Sequence, residues 1–507
     1  MRILAHADRR FRRGEASEAR RRNSTGSLRA LLKGVRTRAI RWASSRILRR
    51  LAAADPESIV LDGQRRAVEA FHRAARLVPG YRAMLSERNV EPGTIRTFAD
   101  FQQRVPVLDK QAVFAENELR DLCVGGTLDD VSLFFCSSGS SGSFSFGTRT
   151  CAEEKHAARV LEAAMHNAFG TFDRKTLLFN ALPMGVRVPT HSLAVSDTSV
   201  RTDAIVAVIR KLKEDFEQFI LIGDHLLLKR IVEEGVAAGV PWKRLLVHCV
   251  TGGEYVPESF RDYLANLLGI DPDRPETGVI GISYGLSEVS MTTFSENPHT
   301  IGIRRFANEN PGFREALCGR ELPFSPSVMQ TYPYDTYLET QPDADGQDEL
   351  VLTTLDPRHK IPLIRYRTGD HVVILPYPRL VRILREHARE DLIPPLPLRV
   401  GLVWGNQRWF RDGVGGKLSP EDVKEALYAD FDVAAMLTGY FRLERADGGI
   451  RLLLQMQKNN QPTDHVCKAV AERLRLFSQV QPRIQAVAYD RFPTGIDQDF
   501  QRKCSYA

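Results

Sequence analysis

The hydrophobic and polar positions of the chain follow two alternating patterns. Short apolar runs typical of strands cover Thr176–Leu182, Arg244–Val250 and Val279–Ser283. Between them lie stretches with apolar residues at helical spacing, including one that opens at Leu221–Asp224. Strands that alternate with helices predict an α/β fold, in which a sheet is flanked by helices.

Three polar turns follow apolar runs in this pattern, at residues 137–143, 251–254 and 284–288. Ligands of open α/β sheets bind at the carboxyl ends of the strands, which is where such turns lie. We therefore expect the three turns to converge at one edge of the sheet.

The first turn is a loop rich in glycine and serine, between the apolar run Leu133–Phe135 and a helix predicted from about Ala152. It reads Ser137, Ser138, Gly139, Ser140, Ser141, Gly142, Ser143. Glycine lets backbone N–H groups turn toward an anion and serine adds hydroxyl donors, so a strand–loop–helix order favours a phosphate cradle. Runs of this composition also serve as flexible linkers, and the loop alone leaves both interpretations open. It is not a Walker A loop, because no Gly-Lys-Ser/Thr closes it.

The sequence divides into three regions. Residues 1–55 form a basic N-terminal extension, 56–400 a large α/β domain and 401–507 a small α+β domain. A length of 507 residues exceeds what one core supports, which agrees with two or more domains. The stretch 376–398, rich in proline and arginine, is interpreted as a connector.

The small domain carries its own helix and strand signals. Ser419 precedes Pro420 and two acids, which predicts a capped helix start. Strands are predicted on both sides of Asp447–Gly449, and a helix over about Val466–Phe477.

Charge is distributed unevenly along the chain. The net charge is +7, but residues 1–50 hold fifteen Arg and one Lys against three acids, so the remainder is net negative. An amphipathic helix over 28–51 predicts either a contact with an anionic membrane surface or a solvated helix packed on the body. The acidic body argues against nucleic acid binding. Seven scattered cysteines and no apolar run of spanning length predict a cytoplasmic protein, and the helix over 28–51 leaves a peripheral contact with a membrane open.

Three further motifs follow the loop in order. They are Gly252-Gly253-Glu254, Tyr284-Gly285-Leu286-Ser287-Glu288 and Arg365-Tyr366-Arg367-Thr368-Gly369-Asp370, and Lys503 stands near the end of the chain. In this order the sequence resembles the adenylate-forming (ANL) superfamily, and within it the phenylacetate–CoA ligase-like branch. The resemblance runs from about Pro79 to the end and includes the stretch Thr97–Lys110.

The resemblance implies an enzyme that joins a carboxylate to the α-phosphate of ATP and expels pyrophosphate. The loop 137–143 would hold the β- and γ-phosphates, and Glu288 would ligate Mg²⁺, which prefers oxygen ligands. Tyr284, with the neighbouring Gly285 and Ser287, and the turn Gly252–Glu254 would line the adenine pocket. Asp370 would accept hydrogen bonds from the ribose hydroxyls. Lys503 would approach the reacting carboxylate from a mobile small domain.

The implied product is an acyl-adenylate, and the implied acceptor is the thiol of coenzyme A or of a carrier protein's phosphopantetheine; an amine stays open as an alternative. Aryl and fatty acids both fit, since the stretch Leu182–Thr190 matches no substrate class. Two departures stand out. The family loop often carries a lysine where this chain has Ser143–Ser145, and the family hinge is matched only by Gly405–Arg408.

Two other interpretations remain open at this point. Gly281-Ile282-Ser283-Tyr284-Gly285 fits the nucleophile elbow of α/β-hydrolases, with Ser283 as nucleophile. Candidate triad partners are Asp335, Asp356, His359, His371 and His387. The atypical hinge would also fit an adenylation homologue that binds a nucleotide without catalysis.

Overall fold

A computed structural model describes residues 40–136, 144–183, 186–286, 288–344, 346–405, 410–411, 416–446, 449–493, 500 and 506. Its helices, in chain order, are α1 (residues 40–52), α2 (Pro56–Leu77), α3 (Pro79–Glu87), α4 (Phe98–Arg104), α5 (Cys151–Phe169), α6 (Thr202–Leu212), α7 (His225–Ala237), α8 (Glu258–Leu268), α9 (Pro298–Glu309), α10 (Pro311–Cys318), α11 (Tyr377–Glu386), α12 (Pro420–Tyr428), α13 (Phe431–Met436) and α14 (Asp464–Leu474).

The strands are β1 (Val131–Cys136), β2 (Phe146–Thr150), β3 (Thr176–Asn180), β4 (Ala194–Asp197), β5 (Gln218–Ile222), β6 (Val247–Thr251), β7 (Ile280–Leu286), β8 (Ser290–Ser295), β9 (Ser327–Thr331), β10 (Thr336–Pro342), β11 (Asp348–Thr354), β12 (Tyr366–Leu375), β13 (Val400–Gly405), β14 (Phe410–Arg411), β15 (Lys417–Leu418), β16 (Leu437–Ala446), β17 (Gly449–Met456) and β18 (Arg483–Val487).

One mixed sheet organises the large domain. Within the described residues it has eleven strands, in the order β10-β11-β12-β13-β9-β8-β7-β6-β5-β3-β4. The half from β4 to β7 is parallel, and the pairs from β7 to β10 are antiparallel. Strands β3 and β5 are buried along their whole length, as expected for parallel strands covered by helices on both faces. The predicted α/β class with a mixed sheet is confirmed.

The small domain is built on the three-stranded sheet β16-β17-β18 and carries α12, α13 and α14. The predicted helix start at Ser419 is confirmed, because its side chain and that of Asp422 form a capping box. The predicted hairpin and the helix that follows it are also found, as β16–β17 and α14. The predicted α+β class of this region is therefore correct.

One interpretation from the sequence was wrong. The stretch at 376–398, interpreted as a connector, contains α11, whose Leu380, Ile383 and Leu384 are buried. Those apolar residues follow helical spacing, and the two prolines next to this helix, Pro376 and Pro378, stand at its start, where proline is tolerated. The strand after it, β13, pairs with β9 and β12 in the large sheet, although the domain boundary is predicted at its first residues.

The N-terminal extension is described from residue 40 onward. The apolar side of α1 packs on the large domain, where Ile47, Leu48 and Leu51 join a cluster with Tyr332 and Leu398. The described part of this helix therefore matches the interpretation of a helix packed on the body. None of the helices in the described part of the chain is long and apolar enough to cross a membrane.

Candidate functional site

The Gly252–Glu254 turn follows β6, and its conformation and position depend on its two glycines. A side chain at 252 would collide with the carbonyl oxygen of Ser283 on the adjacent strand β7. Gly253 has φ +92°, a conformation that residues with a Cβ rarely adopt. The two glycines thus bring the turn against the strand that carries the next motif.

Tyr284 on β7 reaches the last residue of the third motif. Its Oη donates a 2.5 Å hydrogen bond to Oδ2 of Asp370 on β12. Burial, together with the negative charge of Asp370, raises the pKa of Tyr284 well above its usual value. The phenol therefore stays protonated and acts as a donor. Gly369 before the carboxylate has φ +85°, and the backbone N–H of Asp370 donates to Oγ1 of Thr368.

Tyr366 provides a second link between the same motifs. Its Oη donates a 3.1 Å hydrogen bond to Oε1 of Glu288, in the turn after β7. Tyr366 is only 2% exposed, and burial and the charges of Glu288, Asp109 and Asp370 raise its pKa. Three carboxylates therefore lie near one phenol.

The carboxylate oxygens around Tyr366 suit a hard divalent cation. Glu288, proposed as the Mg²⁺ ligand, is half-buried, and Asp109 and Asp370 act with it on the same phenol of Tyr366. Oxygen-only donors of this kind are what Mg²⁺ prefers, so the residues present fit the ion.

The stretch Thr97–Lys110 lies against the third motif. Leu108 pairs with the start of β12, since its N–H donates to the Arg365 carbonyl at 3.1 Å and its own carbonyl accepts from Arg367 at 2.8 Å. This pairing also brings Asp109 next to Tyr366. Sequence reasoning gave no role to Asp109 or to Tyr366, because neither the spacing nor the residue types revealed that they would meet.

Arg365 serves the fold rather than the open site. It is buried with φ +46°, and its Nη1 donates 2.6 Å hydrogen bonds to the carbonyls of Gln102 and Val105. Its Nε lies 3.5 Å from the buried carboxylate of Glu339. The structural ion pair considered for this arginine is therefore present.

The Glu254 side chain contacts Lys424 and His225 in addition to its own turn. Lys424 on α12 forms an ion pair with its Oε2, and Nδ1 of His225 lies 3.4 Å from its Oε1. The side chain thus meets the small domain, whereas the sequence predicted it only as a wall of an adenine pocket. A lysine in the second turn of α12 gives no signal of this contact, since most such lysines are solvated.

Several predicted site residues lie outside the described residues. They are Ser137, Ser138, Gly139, Ser140, Ser141, Gly142, Ser287 and Lys503. What the structure describes around the glycine- and serine-rich loop is a hairpin, in which β1 pairs antiparallel with β2. The helix predicted from about Ala152 is found as α5, but it does not follow the loop directly, because β2 intervenes. The first turn of α5 is capped by Thr150 and Glu153.

The hydrolase interpretation is not supported by the geometry. Ser283 lies inside β7, which continues past it into an antiparallel pair with β8, whereas a nucleophile elbow requires a strand-to-helix turn. Asp335 and Asp356 both face His156. The three histidines considered for the triad meet other groups: His359 meets Glu153, His371 meets Asp343 and His387 meets the backbone of Ile383.

A cleft of about 500 Å³ lies elsewhere on the large domain. Its walls include Pro275, just before β7, and Arg305 and Asp391. It therefore lies near the amino end of β7, opposite the end that carries Tyr284. None of the predicted site residues that the structure describes lines it.

No protein-family model matches the chain, and no curated protein matches it in sequence. Solved structures do match. The chain is similar to 2-hydroxyisobutyryl-CoA ligase in the postadenylation state in complex with R3-HIB-AMP, with 14% identity, 88% of each chain covered and a TM-score of 0.63. The same ligase in the thioesterification state with 2-HIB-AMP and CoA matches with 14% identity, a TM-score of 0.52, and 88% of this chain and 89% of that chain covered. An open conformation gives 13% identity, 88% and 90% coverage and a TM-score of 0.52. The chain therefore has the fold of the adenylate-forming CoA ligases.

Proposed function

We propose that this protein activates a carboxylic acid with ATP to an acyl-adenylate and passes the acyl group to a thiol. The observation that carries the proposal is the pair of hydrogen bonds Tyr284–Asp370 and Tyr366–Glu288, which joins two motifs from distant parts of the sequence. The fold supports the same reaction class.

The proposed roles follow from the chemistry of each side chain. Asp370, held by Tyr284, accepts hydrogen bonds from the two ribose hydroxyls, which suits a carboxylate that can only accept. The backbone of the turn at Gly252 and Gly253 contacts the adenine ring. The loop 137–143 binds the β- and γ-phosphates through its N–H and hydroxyl donors.

Adenylate formation is a displacement between anions, so positioning and charge compensation supply most of the rate. Glu288 would hold Mg²⁺, which neutralises phosphate charge when bound. Tyr366 fixes the carboxylate of Glu288 in one orientation by its hydrogen bond. We assign Lys503 to the acid carboxylate and the α-phosphate, where charge develops during the displacement.

We propose coenzyme A or a carrier protein's phosphopantetheine as the acceptor. The solved ligase with the similar fold was captured with 2-HIB-AMP and CoA. The phenylacetate–CoA ligase-like branch is the finer proposal, and it rests on the order of the motifs in the sequence.

Exchange of labelled pyrophosphate into ATP tests the proposal, measured against a panel of aryl and fatty acids. We expect exchange that depends on one class of acid, and mass spectrometry should then detect the acyl-adenylate. Addition of coenzyme A should convert it to a thioester. Nucleotide binding without exchange across a broad panel would instead identify a non-catalytic homologue.

A further inference from the structure

Lys424 joins the small domain to the turn of the second motif. It lies on α12 and is only 2% exposed. Its ammonium group forms an ion pair with Glu254 and donates a 3.0 Å hydrogen bond to the Tyr255 carbonyl. A buried lysine with two oxygen partners on one turn fixes the position of that turn relative to α12.

The same ammonium also contacts the C-terminal tail. It lies 4.8 Å from the ring centroid of Tyr506, a cation–π distance. Tyr506 is held on β16, because its carbonyl accepts a 2.7 Å hydrogen bond from the Leu443 N–H and its ring stacks on Phe441 at 4.3 Å. Tyr506, which stands three residues after Lys503 in the sequence, is thus anchored beside Lys424.

The charges around Glu254 make this lysine hard to replace. Asp224 and Glu254 lie on either side of His225, whose Nδ1 is 3.5 Å from one carboxylate and 3.4 Å from the other. His225 is only 1% exposed. Burial acts to raise the pKa of Asp224, but its interactions with His225, the Leu226 N–H and Lys424 hold this pKa below its usual value. Removing the ammonium would leave the partly buried carboxylate of Glu254 without its ion-pair partner.

We propose that Lys424 is a positioning residue that couples the C-terminal tail and the small domain to the Gly252–Glu254 turn. Movement of the small domain away from the turn then requires this buried contact to break. When the turn holds nucleotide, the same contact keeps Tyr506 close to the turn. The role assigned to the turn rests on the proposed function; the mechanical coupling does not.

Other contacts keep the small domain in place when Lys424 is altered. Tyr255 donates a 2.6 Å hydrogen bond to Glu425, and Lys229 on α7 donates one of 2.7 Å to the Leu437 carbonyl. The domain is therefore expected to stay folded and close to α7 and α8 in a Lys424 variant. What should change is the coupling between the turn and the tail.

Hydrogen–deuterium exchange of the full chain tests the coupling without any assay of catalysis. In Lys424→Met we expect exchange to rise about tenfold or more in two peptides at once, one over 252–256 and one over 440–443. The Leu443 amide reports directly on the tail, because it donates to Tyr506. Lys458→Met is the matched control, since Lys458 is an exposed lysine 5.1 Å from the Tyr489 ring.

A double variant, Lys424→Met with Glu254→Gln, keeps the test valid if the single variant does not fold, because it removes both charges. It should still show raised exchange at 440–443. Lys424→Arg should restore protection of both peptides, at least in part. Exchange equal to wild type in both peptides of a folded variant, or a rise confined to α12, would overturn the coupling.

A kinetic measurement separates this inference from the proposed function. If the wild-type protein catalyses pyrophosphate exchange, Lys424→Met should raise the KM for ATP by a larger factor than it lowers kcat. Lys424→Arg should bring the KM back toward the wild-type value. Raised deuterium exchange in a protein without pyrophosphate exchange would leave the coupling intact and reject the function. Active pyrophosphate exchange in wild type, together with unchanged deuterium exchange in Lys424→Met, would keep the function and reject the coupling.

Discussion

Oη of Tyr284 lies 2.5 Å from Oδ2 of Asp370, across 86 residues of sequence. The hydrogen bond links the end of β7, in the middle of the sheet, to β12, four strands away in the strand order. Tyr284 remains a donor at neutral pH, because burial and the adjacent carboxylate raise its pKa. Asp370 is thereby held in one orientation before any ligand arrives, which is what recognition of a ribose diol requires.

Tyr284→Phe should weaken ATP binding by about 1–3 kcal/mol, because Asp370 loses its orienting donor. Asp370→Asn should weaken it at least as much. The double variant should cost less than the sum of the two, since both changes remove the same hydrogen bond. Isothermal titration calorimetry with ATP measures all three. Unchanged affinity in both single variants would remove the pair from the nucleotide site.

Glu288→Gln should abolish most Mg²⁺-dependent pyrophosphate exchange and leave the fold intact, because glutamine keeps the hydrogen bond from Tyr366 but carries no charge. Tyr366→Phe should lower the exchange rate less, on the order of tenfold, since it removes only the hydrogen bond that orients Glu288. Exchange rates titrated with MgCl₂ distinguish the two. A Glu288→Gln variant with the wild-type response to MgCl₂ would contradict the assignment.

Arg365→Met should destabilise the protein by about 3–5 kcal/mol, because it leaves the buried carboxylate of Glu339 without its cation and two carbonyls without donors. Urea unfolding followed by circular dichroism measures the change. Arg367→Met is the control, since Arg367 is partly exposed and pairs with Glu349 at the surface. Equal stability of the two variants would show that Arg365 is not the structural member of the motif.

The contact of α12 with the large domain should weaken as pH rises. Glu425 is 3% exposed and faces Tyr255, Arg304, Glu258 and Ser259. Burial raises its pKa from 4.5 to about 7. The folded state therefore binds the proton more tightly, so the stability it contributes is full below pH 4.5 and is lost as pH rises through about 7.

Unfolding of Glu425→Gln at pH 5, 6, 7 and 8 tests this dependence. Ionisation of Glu425 should lower the free energy of unfolding of wild type by roughly 1–3 kcal/mol between about pH 5 and pH 8. Glu425→Gln should lack this pH-dependent decrease. Glu472→Gln, at an exposed position of α14, should keep the wild-type profile. Parallel profiles for wild type and Glu425→Gln would show that Glu425 does not titrate in this range.

Lys503→Ala should abolish adenylate formation without changing the unfolding midpoint, because the proposed role of Lys503 is charge stabilisation in the reaction. Lys468→Ala is the control, since Lys468 is exposed on α14. Pyrophosphate exchange and thermal unfolding are measured on the same samples. Wild-type exchange in Lys503→Ala would remove that lysine from the mechanism.

Local patterns were enough to predict much of the fold. The buried runs that became β3, β6 and β7 and the helix start at Ser419 are decided by nearby residues, so the sequence alone indicates them. The convergence of the turns after β6 and β7 also followed, since carboxyl ends of parallel strands share one edge of a sheet.

Contacts between distant segments were not predictable in the same way. Tyr366 meets Glu288, and Lys424 meets Glu254, only because the sheet order and the docking of α12 bring them together. The pattern of apolar and polar residues along the chain contains no information on either contact. The strand β2 was missed for a different reason: its polar residues Thr148 and Thr150 are buried by packing that the sequence does not display.

Acid-dependent exchange of labelled pyrophosphate into ATP is the most direct test, measured on wild type and Asp370→Asn with the same acid panel. The account predicts exchange by wild type with one class of acid, and at least about tenfold weaker exchange at limiting ATP for the variant. Well-folded wild-type protein that binds ATP but exchanges no pyrophosphate with any acid would contradict it.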